Sequence, residues 1–197
     1  YTLSDTLSLH DALPILKTLA YDLAADSQPF HAALHARGVR PVVQMRDLWT
    51  GSPDRPLPGH GHLPVRITYD QLGTVHCWDD SGPAPVRRRM AYTGHEPARG
   101  TLKYRCPAMT GEWRCGCERK CNHGKTYGLT VRVRRELDLR RFPPIPRATK
   151  AFERLYRGRT SVERVNGRLK MFWGADDGNL SGAARFHAYV DAVMLVH

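Results

Sequence analysis

The sequence predicts an α/β fold carrying a β-rich insertion, and three observations predict it. Near the start, a short apolar run, an acid, a helical stripe and a second apolar run follow in the order of a strand–helix–strand unit. From residue 46 to about residue 146, short stretches alternate apolar and polar residues between turns rich in Gly and Pro. From residue 147 onward the apolar residues recur at steps of three and four, which is helical.

The first unit begins at Leu16–Tyr21, a mostly apolar run suited to a buried strand, with Asp22 directly after it. Ser27 is placed to cap a helix, Pro29 suits its first turn, Phe30, Ala33 and Leu34 form its apolar stripe, and Gly38 ends it. Val39–Met45 is the second strand, with Pro41 near its start. Two strands joined through one helix should be parallel, with a right-handed crossover. Asp22 then falls at the carboxyl end of a strand, where open α/β sheets gather their ligand-binding groups. The bland reading of Asp22 is a strand-end turn or capping residue; Asp26 is the competing candidate for its place and otherwise reads as a cap for the helix.

Tyr1–Ile15 reads differently. The run Thr6–Ile15 looks like the in-frame translation of a common short-read sequencing adapter. It lacks the basic start and continuous apolar centre of a signal peptide. Genuine sequence is expected to begin near Leu16, which leaves Asp5 and Asp11 out of any catalytic argument.

In the insertion, residues 46–146, the stretch Gly51–Gly61 reads as a linker or long loop, with His60 and His62 as solvated loop residues rather than metal ligands. Val65, Ile67 and Tyr69 alternate with Arg66 and Thr68, and Thr74–Trp78 follows a short turn, which is a hairpin signature. Arg87–Arg89, Leu102–Arg105 and Thr130–Arg135 read as further strands. In the last, Val131 and Val133 alternate with Arg132 and Arg134, giving one apolar and one basic face. Arg135, Arg140, Arg141 and Arg147 extend the basic run. Guanidinium groups pair with phosphates bidentately and add salt-dependent affinity. Little aromatic or amide content is interleaved, so the run reads as phosphate tracking rather than base readout, against a solvated face as the alternative.

Cys106, Cys115, Cys117 and Cys121, with His123 beyond them, are a candidate tetrahedral Zn²⁺ site, with unligated loop thiols as the alternative. The spacing is not the paired C-x-x-C of a zinc ribbon. His123 is the substitute ligand if one thiol stays out. Cys77 reads as a small buried apolar residue, and no thiol has a designated base to make it a nucleophile.

Thirty Lys and Arg against nineteen Asp and Glu give a net charge of +11, which points to a polyanionic partner, DNA or RNA first. No amphipathic stretch has the purely basic polar face of a membrane-surface helix, and no apolar run is long enough to span a bilayer. Bunched cysteines in an otherwise cysteine-poor chain suit a reducing compartment.

Phe142-Pro143-Pro144-Ile145-Pro146 reads as a stiff, extended connector ending the insertion, and Ala148–Tyr156 has helical composition. Gly158 reads as a flexible joint and Thr160 or Ser161 as the cap of the next helix, on which Val162, Val165, Leu169 and Phe172 form the buried face. Arg159, Glu163, Asn166 and Lys170 lie along its edge, which in isolation is an ordinary i,i+4 Arg–Glu pair on an amphipathic helix. Gly174 stops that helix, Asp176 and Asp177 read as solvated turn residues with metal ligation as the alternative, and Ser181 caps a last helix with Ala183, Phe186, Val190 and Val193 on one face.

Tyr156, two residues, Arg159, three residues, Glu163, six residues, Lys170 resembles the Y-R-E-K signature of insertion-sequence DDE transposases. The run Asp22-Leu23-Ala24-Ala25-Asp26-Ser27 resembles the D-x-G/A-Y-D-S segment of the same family, with Ala25 standing where an aromatic is usual. The resemblance implies a partial RNase H-like core, residues 16–45 and 147–197, interrupted by the insertion. It implies that Asp22 and Glu163 are the second and third acids of a catalytic triad holding Mg²⁺ or Mn²⁺. Arg159 and Lys170 would contact DNA ends, and Tyr156 would pack or position the strand. It implies DNA cleavage and strand transfer by paired protomers in a bacterial cytoplasm. The family's first Asp lies on the sheet's first strand, expected upstream of Leu16, and no acid from Leu16 onward fits its role. The chain is therefore expected to be an inactive fragment, and its Leu16–Tyr21 strand to keep an unpaired edge that lowers solubility. The rival expectations are an RNase H-like nuclease without strand transfer and a zinc-stabilised DNA-binding module without chemistry.

Overall fold

The computed structural model describes residues 16–46, 49–63, 65–80, 82–106, 108, 127–174 and 182–196. The fold is mixed α/β with small sheets, and the chain divides into two units, one up to Tyr156 and one from Arg157 onward. Tyr1–Ile15, Asp176, Asp177 and Ser181 lie outside the described residues.

Strands β1 (Thr18–Tyr21) and β2 (Arg40–Val43) pair in parallel through helix α1 (Gln28–Ala36), as the strand–helix–strand pattern predicts. Ser27 caps α1: its Oγ accepts the Phe30 N–H at 3.4 Å, satisfying a donor the first turn leaves open. The buried face of α1 is His31 and Leu34, while Ala33 is exposed. The apolar stripe misplaced that face because a histidine does not register in a count of apolar residues. Gly38, at φ 68°, takes the left-handed conformation that ends the helix. Among the described residues β1 pairs with β2 alone and stays partly exposed, whereas Pro41, Val42 and Val43 of β2 are buried.

The rest of the first unit is antiparallel. Strands β3 (Asp54–Pro56), β4 (Ile67–Asp70), β5 (Val75–Asp79) and β6 (Val86–Arg89) form one sheet in that order, and β7 (Ala91–Glu96), β8 (Thr101–Arg105) and β9 (Thr130–Arg134) form another. The hairpin, the Arg87–Arg89 strand and the last two strands are where the sequence puts them. Strands β3 and β7 are additions. The first lies inside the stretch read as a linker; it is an edge strand, where Pro56 removes no needed donor. Gly94 conceals the second, because it sits at a bulge between Tyr92 and Gly94 and breaks the alternation. Val131 and Val133 are buried and Arg132 and Arg134 exposed, as the alternation predicts.

Both sheets feed one core. Ile67, Val75 and Cys77 come from the first and Leu102, Tyr104, Val131 and Val133 from the second. Phe142, fully buried, joins that core. The connector reading of Phe142–Pro146 is thus corrected: Phe142, Pro143, Pro144 and Pro146 are buried, and the Tyr92 hydroxyl donates to Pro144 O at 2.9 Å. A proline-rich segment can run through an interior because it has few N–H groups left to satisfy.

Helix α2 (Lys150–Arg157) follows, capped by Thr149, whose Oγ1 accepts the Phe152 N–H at 3.2 Å. Phe152 is buried and stacks on Tyr156 with ring centres 5.8 Å apart.

The second unit contains α3 (Arg159–Trp173) and α4 (Ala183–Val196). Thr160 and Ser161 do not cap α3. Their hydroxyls donate back to Arg157 O and Gly158 O, at 2.8 and 2.7 Å, and no side chain caps the helix at Gly158. Gly174, at φ 63°, ends α3 as predicted, its N–H returning to Leu169 O. The expected buried face is not buried: Val165 is 41% and Phe172 75% exposed. Among the described residues of its own unit α3 has one neighbouring helix, tied to it by the Tyr189 hydroxyl donating to Trp173 O, and two helices cannot enclose an apolar stripe. Among the described residues no helix is long and apolar enough to cross a membrane.

Candidate functional site

Asp22 stands directly after β1, at the carboxyl end of a parallel strand, and is exposed. Its Oδ1 accepts the Leu23 N–H at 2.6 Å and caps the short 3₁₀ turn Leu23–Ala25. The ligand-end placement and the capping role therefore coexist in one carboxylate.

Asp26 is a different kind of acid from the helix cap the sequence suggests. It is 4% exposed and accepts Arg140 Nε and Nη2, at 2.7 and 2.8 Å, and the Arg46 N–H at 2.7 Å. Burial alone raises its pKa, but the Arg140 hydrogen bonds, the Arg46 N–H and the charges of Arg140 and Arg147 outweigh that and hold it below the usual carboxylate value. His31 Nε2 lies 3.7 Å from the same carboxylate. Burial, then the charge of Arg147, push this histidine down to about 4 against the pull of Asp26. His31 is therefore neutral near pH 7, and Asp26 is an internal anchor.

That anchor corrects the expected phosphate-tracking run. Arg135 is buried and donates to Phe142 O at 3.2 Å, with Nη1 3.5 Å from His35 Nδ1. Arg140 is committed to Asp26. Arg141 pairs with Asp138 and lies over the Trp49 ring at 4.9 Å. Arg147 donates to Val43 O and Arg140 O at 2.9 and 2.8 Å. Arg135, Arg140 and Arg147 thus tie the antiparallel sheets to the β1–α1–β2 unit. Arg132 and Arg134 remain on the surface, where they line a groove of about 610 Å³ with His60. Arg132 also pairs with Glu96 at 3.0 Å.

The fold supplies aromatic partners that the linear sequence conceals. Arg55 lies 4.2 Å over the Trp49 ring and Arg66 4.0 Å over Trp78. Both arginines are exposed. Arg66 and Trp78 come together across the β4–β5 hairpin, with Trp78 N donating to Arg66 O at 3.1 Å. The only advance signal was the hairpin pattern itself, which puts facing residues of two strands side by side.

Glu163 belongs to the second unit. It is exposed on α3 and accepts Arg159 Nη1 at 2.7 Å, the i,i+4 pair the spacing predicts. Lys170 is exposed on the same helix. Tyr156, at the end of the first unit, is partly buried against Phe152. Asp22 and Glu163 lie in different units, so each is defined in its own setting. Among the described residues no three of His, Cys, Asp and Glu gather as a metal-holding group. Cys106 is buried where β8 ends, its N–H donating to Leu129 O at 2.9 Å. Cys115, Cys117, Cys121 and His123 lie outside the described residues. Cys77 is buried in the core, as expected.

No family model, curated protein or solved structure matches the chain.

Proposed function

We propose that this chain is the DNA-processing part of an insertion-sequence DDE transposase, with an RNase H-like core split by the basic, β-rich insertion. The observation that carries the reading is Asp22, an exposed carboxylate immediately after the first strand of a parallel β1–α1–β2 unit. Glu163, exposed beside Arg159 and Lys170 on α3, supplies the third acid of the triad in the setting the resemblance implies. Carboxylate oxygens are hard donors suited to Mg²⁺ or Mn²⁺, so both residues fit the ions such chemistry needs. Bound there, the ions would supply activation of the attacking oxygen and charge neutralisation at the leaving oxygen. Arg159, Lys170 and Tyr156 contact or position the DNA end. Arg132 and Arg134, with the Trp-stacked Arg55 and Arg66, hold phosphates, whereas Arg135 and Arg140, committed inside the fold, do not. The working form is a pair of protomers on two DNA ends.

Asp22 and Glu163 are two of the three acids the family uses, so the chain as it stands is expected to bind duplex DNA and leave it uncut in Mg²⁺. A protein that also carries a strand ending in Asp upstream of Leu16 should nick DNA. In that protein Glu163→Gln should abolish nicking and spare DNA binding; cleavage that survives the substitution overturns the reading.

A second reading, a DNA-binding module without chemistry, is favoured by the self-contained core the two antiparallel sheets share. In that reading the upstream-extended protein binds DNA and never cuts it. We assign structural Zn²⁺ to Cys106, Cys115, Cys117 and Cys121 under either reading, as thiolates are suited to it. Metal analysis should find stoichiometric zinc, lost in a Cys106→Ser, Cys121→Ser double variant.

A further inference from the structure

A cavity of about 230 Å³ lies in the first unit where the ends of β6 and β7, the strand β8 and the start of α2 meet. Arg89, Arg147 and Lys150 line it, and among the described residues no carboxylate does. Two of its lining side chains are buried with hydrogen-bonding capacity unused. Tyr104 is 2% exposed and its hydroxyl has no partner. Arg147 is 8% exposed; Nε and Nη1 are occupied by Val43 O and Arg140 O, but Nη2 has no partner.

An unsatisfied buried donor is costly because its desolvation is not repaid, and native proteins keep few of them. Two at one cavity, with two further cations at it and no acid, need a compensating group, and the missing group is an acceptor with negative charge. The third contribution is the first turn of α2, whose N-terminal end favours an anion and whose first residue, Lys150, lines the cavity. Burial lowers the Arg147 guanidinium to about 10, with Asp26 and Asp138 acting to raise it and Arg140 and Arg141 to lower it.

We propose that this cavity binds a phosphate group, held by Arg89, Arg147 and Lys150 and by the Tyr104 hydroxyl. Three cations and a hydroxyl donor match a tetrahedral group with several acceptor oxygens better than they match a single carboxylate. The volume leaves room for whatever the phosphate is attached to. Two sources share that chemistry: free phosphate or a phosphomonoester, and the backbone of a nucleic acid. The site is independent of the two-acid reading above, because phosphate binding needs neither Asp22, Glu163 nor a divalent ion.

The test uses the full chain, titrated with inorganic phosphate against chloride at equal ionic strength, followed by calorimetry and thermal melting. Arg89 and Lys150 are exposed, so Arg89→Ala and Lys150→Ala should fold normally. Each should weaken phosphate binding roughly tenfold, as loss of one charge-assisted hydrogen bond does. Tyr104→Phe removes an unpartnered hydroxyl, so without phosphate it should melt at or above the parent temperature. With phosphate, its melting temperature should rise less than the parent's. A purely structural tyrosine would shift the melt and leave the phosphate dependence unchanged. A short duplex DNA separates the sources. If phosphate displaces it and the variants weaken both ligands, the site takes backbone phosphate. If only phosphate binding falls, it takes free phosphate or a monoester. Phosphate binding that is absent at equal ionic strength, or unaltered in all three variants, overturns the proposal.

Discussion

Two Arg–carboxylate pairs in this molecule have the same shortest distance and opposite roles. Arg140 meets Asp26 at 2.7 Å with side-chain exposures of 14% and 0%. Arg159 meets Glu163 at 2.7 Å with exposures of 28% and 57%. The first joins residues 114 positions apart and is reinforced by the Arg46 N–H and the charge of Arg147. The second joins adjacent turns of one helix. Geometry at the contact is alike; burial separates a structural anchor from a carboxylate open to solvent. An acid proposed to take a metal has to be of the second kind, and Glu163 and Asp22 are.

The strongest test of that contrast is Asp26→Ala. It strands Arg140 and leaves Arg147 without its main compensating charge, which should cost about 3–5 kcal/mol of stability, read as a lowered denaturation midpoint. Retention of full stability would show that the buried pair is not an anchor.

The next effect is acid sensitivity. Unfolded, His31 titrates near 6.5; folded, it titrates at about 4. The unfolded chain therefore takes up the proton first, and stability falls as pH drops from about 6.5 to 4, by roughly 2–3 kcal/mol. Asp26 acts in the same direction lower down, since its folded pKa lies below the ordinary carboxylate value, and its contribution is lost as pH falls through the folded value. Urea melts across this range should show the slope, and His31→Leu should remove its upper part.

Tyr92→Phe deletes the hydroxyl that donates to Pro144 O and should cost about 1 kcal/mol, a smaller effect because only a neutral hydrogen bond is lost. Smallest of all, Glu163→Gln should change stability by less than about 0.5 kcal/mol, because its pair with Arg159 is solvent-exposed. A loss near that of Asp26→Ala would mean that Glu163 is structural, and would count against its catalytic assignment.

The regularities set by neighbours along the chain are legible before any fold is known. Ser27 caps α1 because a short side-chain oxygen next to a first turn reaches its N–H groups. Gly174 ends α3 because a left-handed residue costs glycine little. Val131 and Val133 turn inward opposite Arg132 and Arg134 because a strand alternates its faces. Asp22 follows β1 because the parallel unit is written in the order of its apolar runs.

What the linear order does not carry is the partner of a charge that pairs across long stretches of chain, as Arg140 does with Asp26. Alternation puts Arg135 on the side of Val131 and Val133, opposite Arg134, but nothing local names Phe142 O as its partner or marks Arg140 for Asp26. The same holds for the bulge that turns Gly94 into part of a strand and for the packing that draws Phe142 and its prolines inside. Capping, turning and alternation are decided within a few residues. Desolvation, and with it the fate of a guanidinium, depends on what the chain brings beside it from far away.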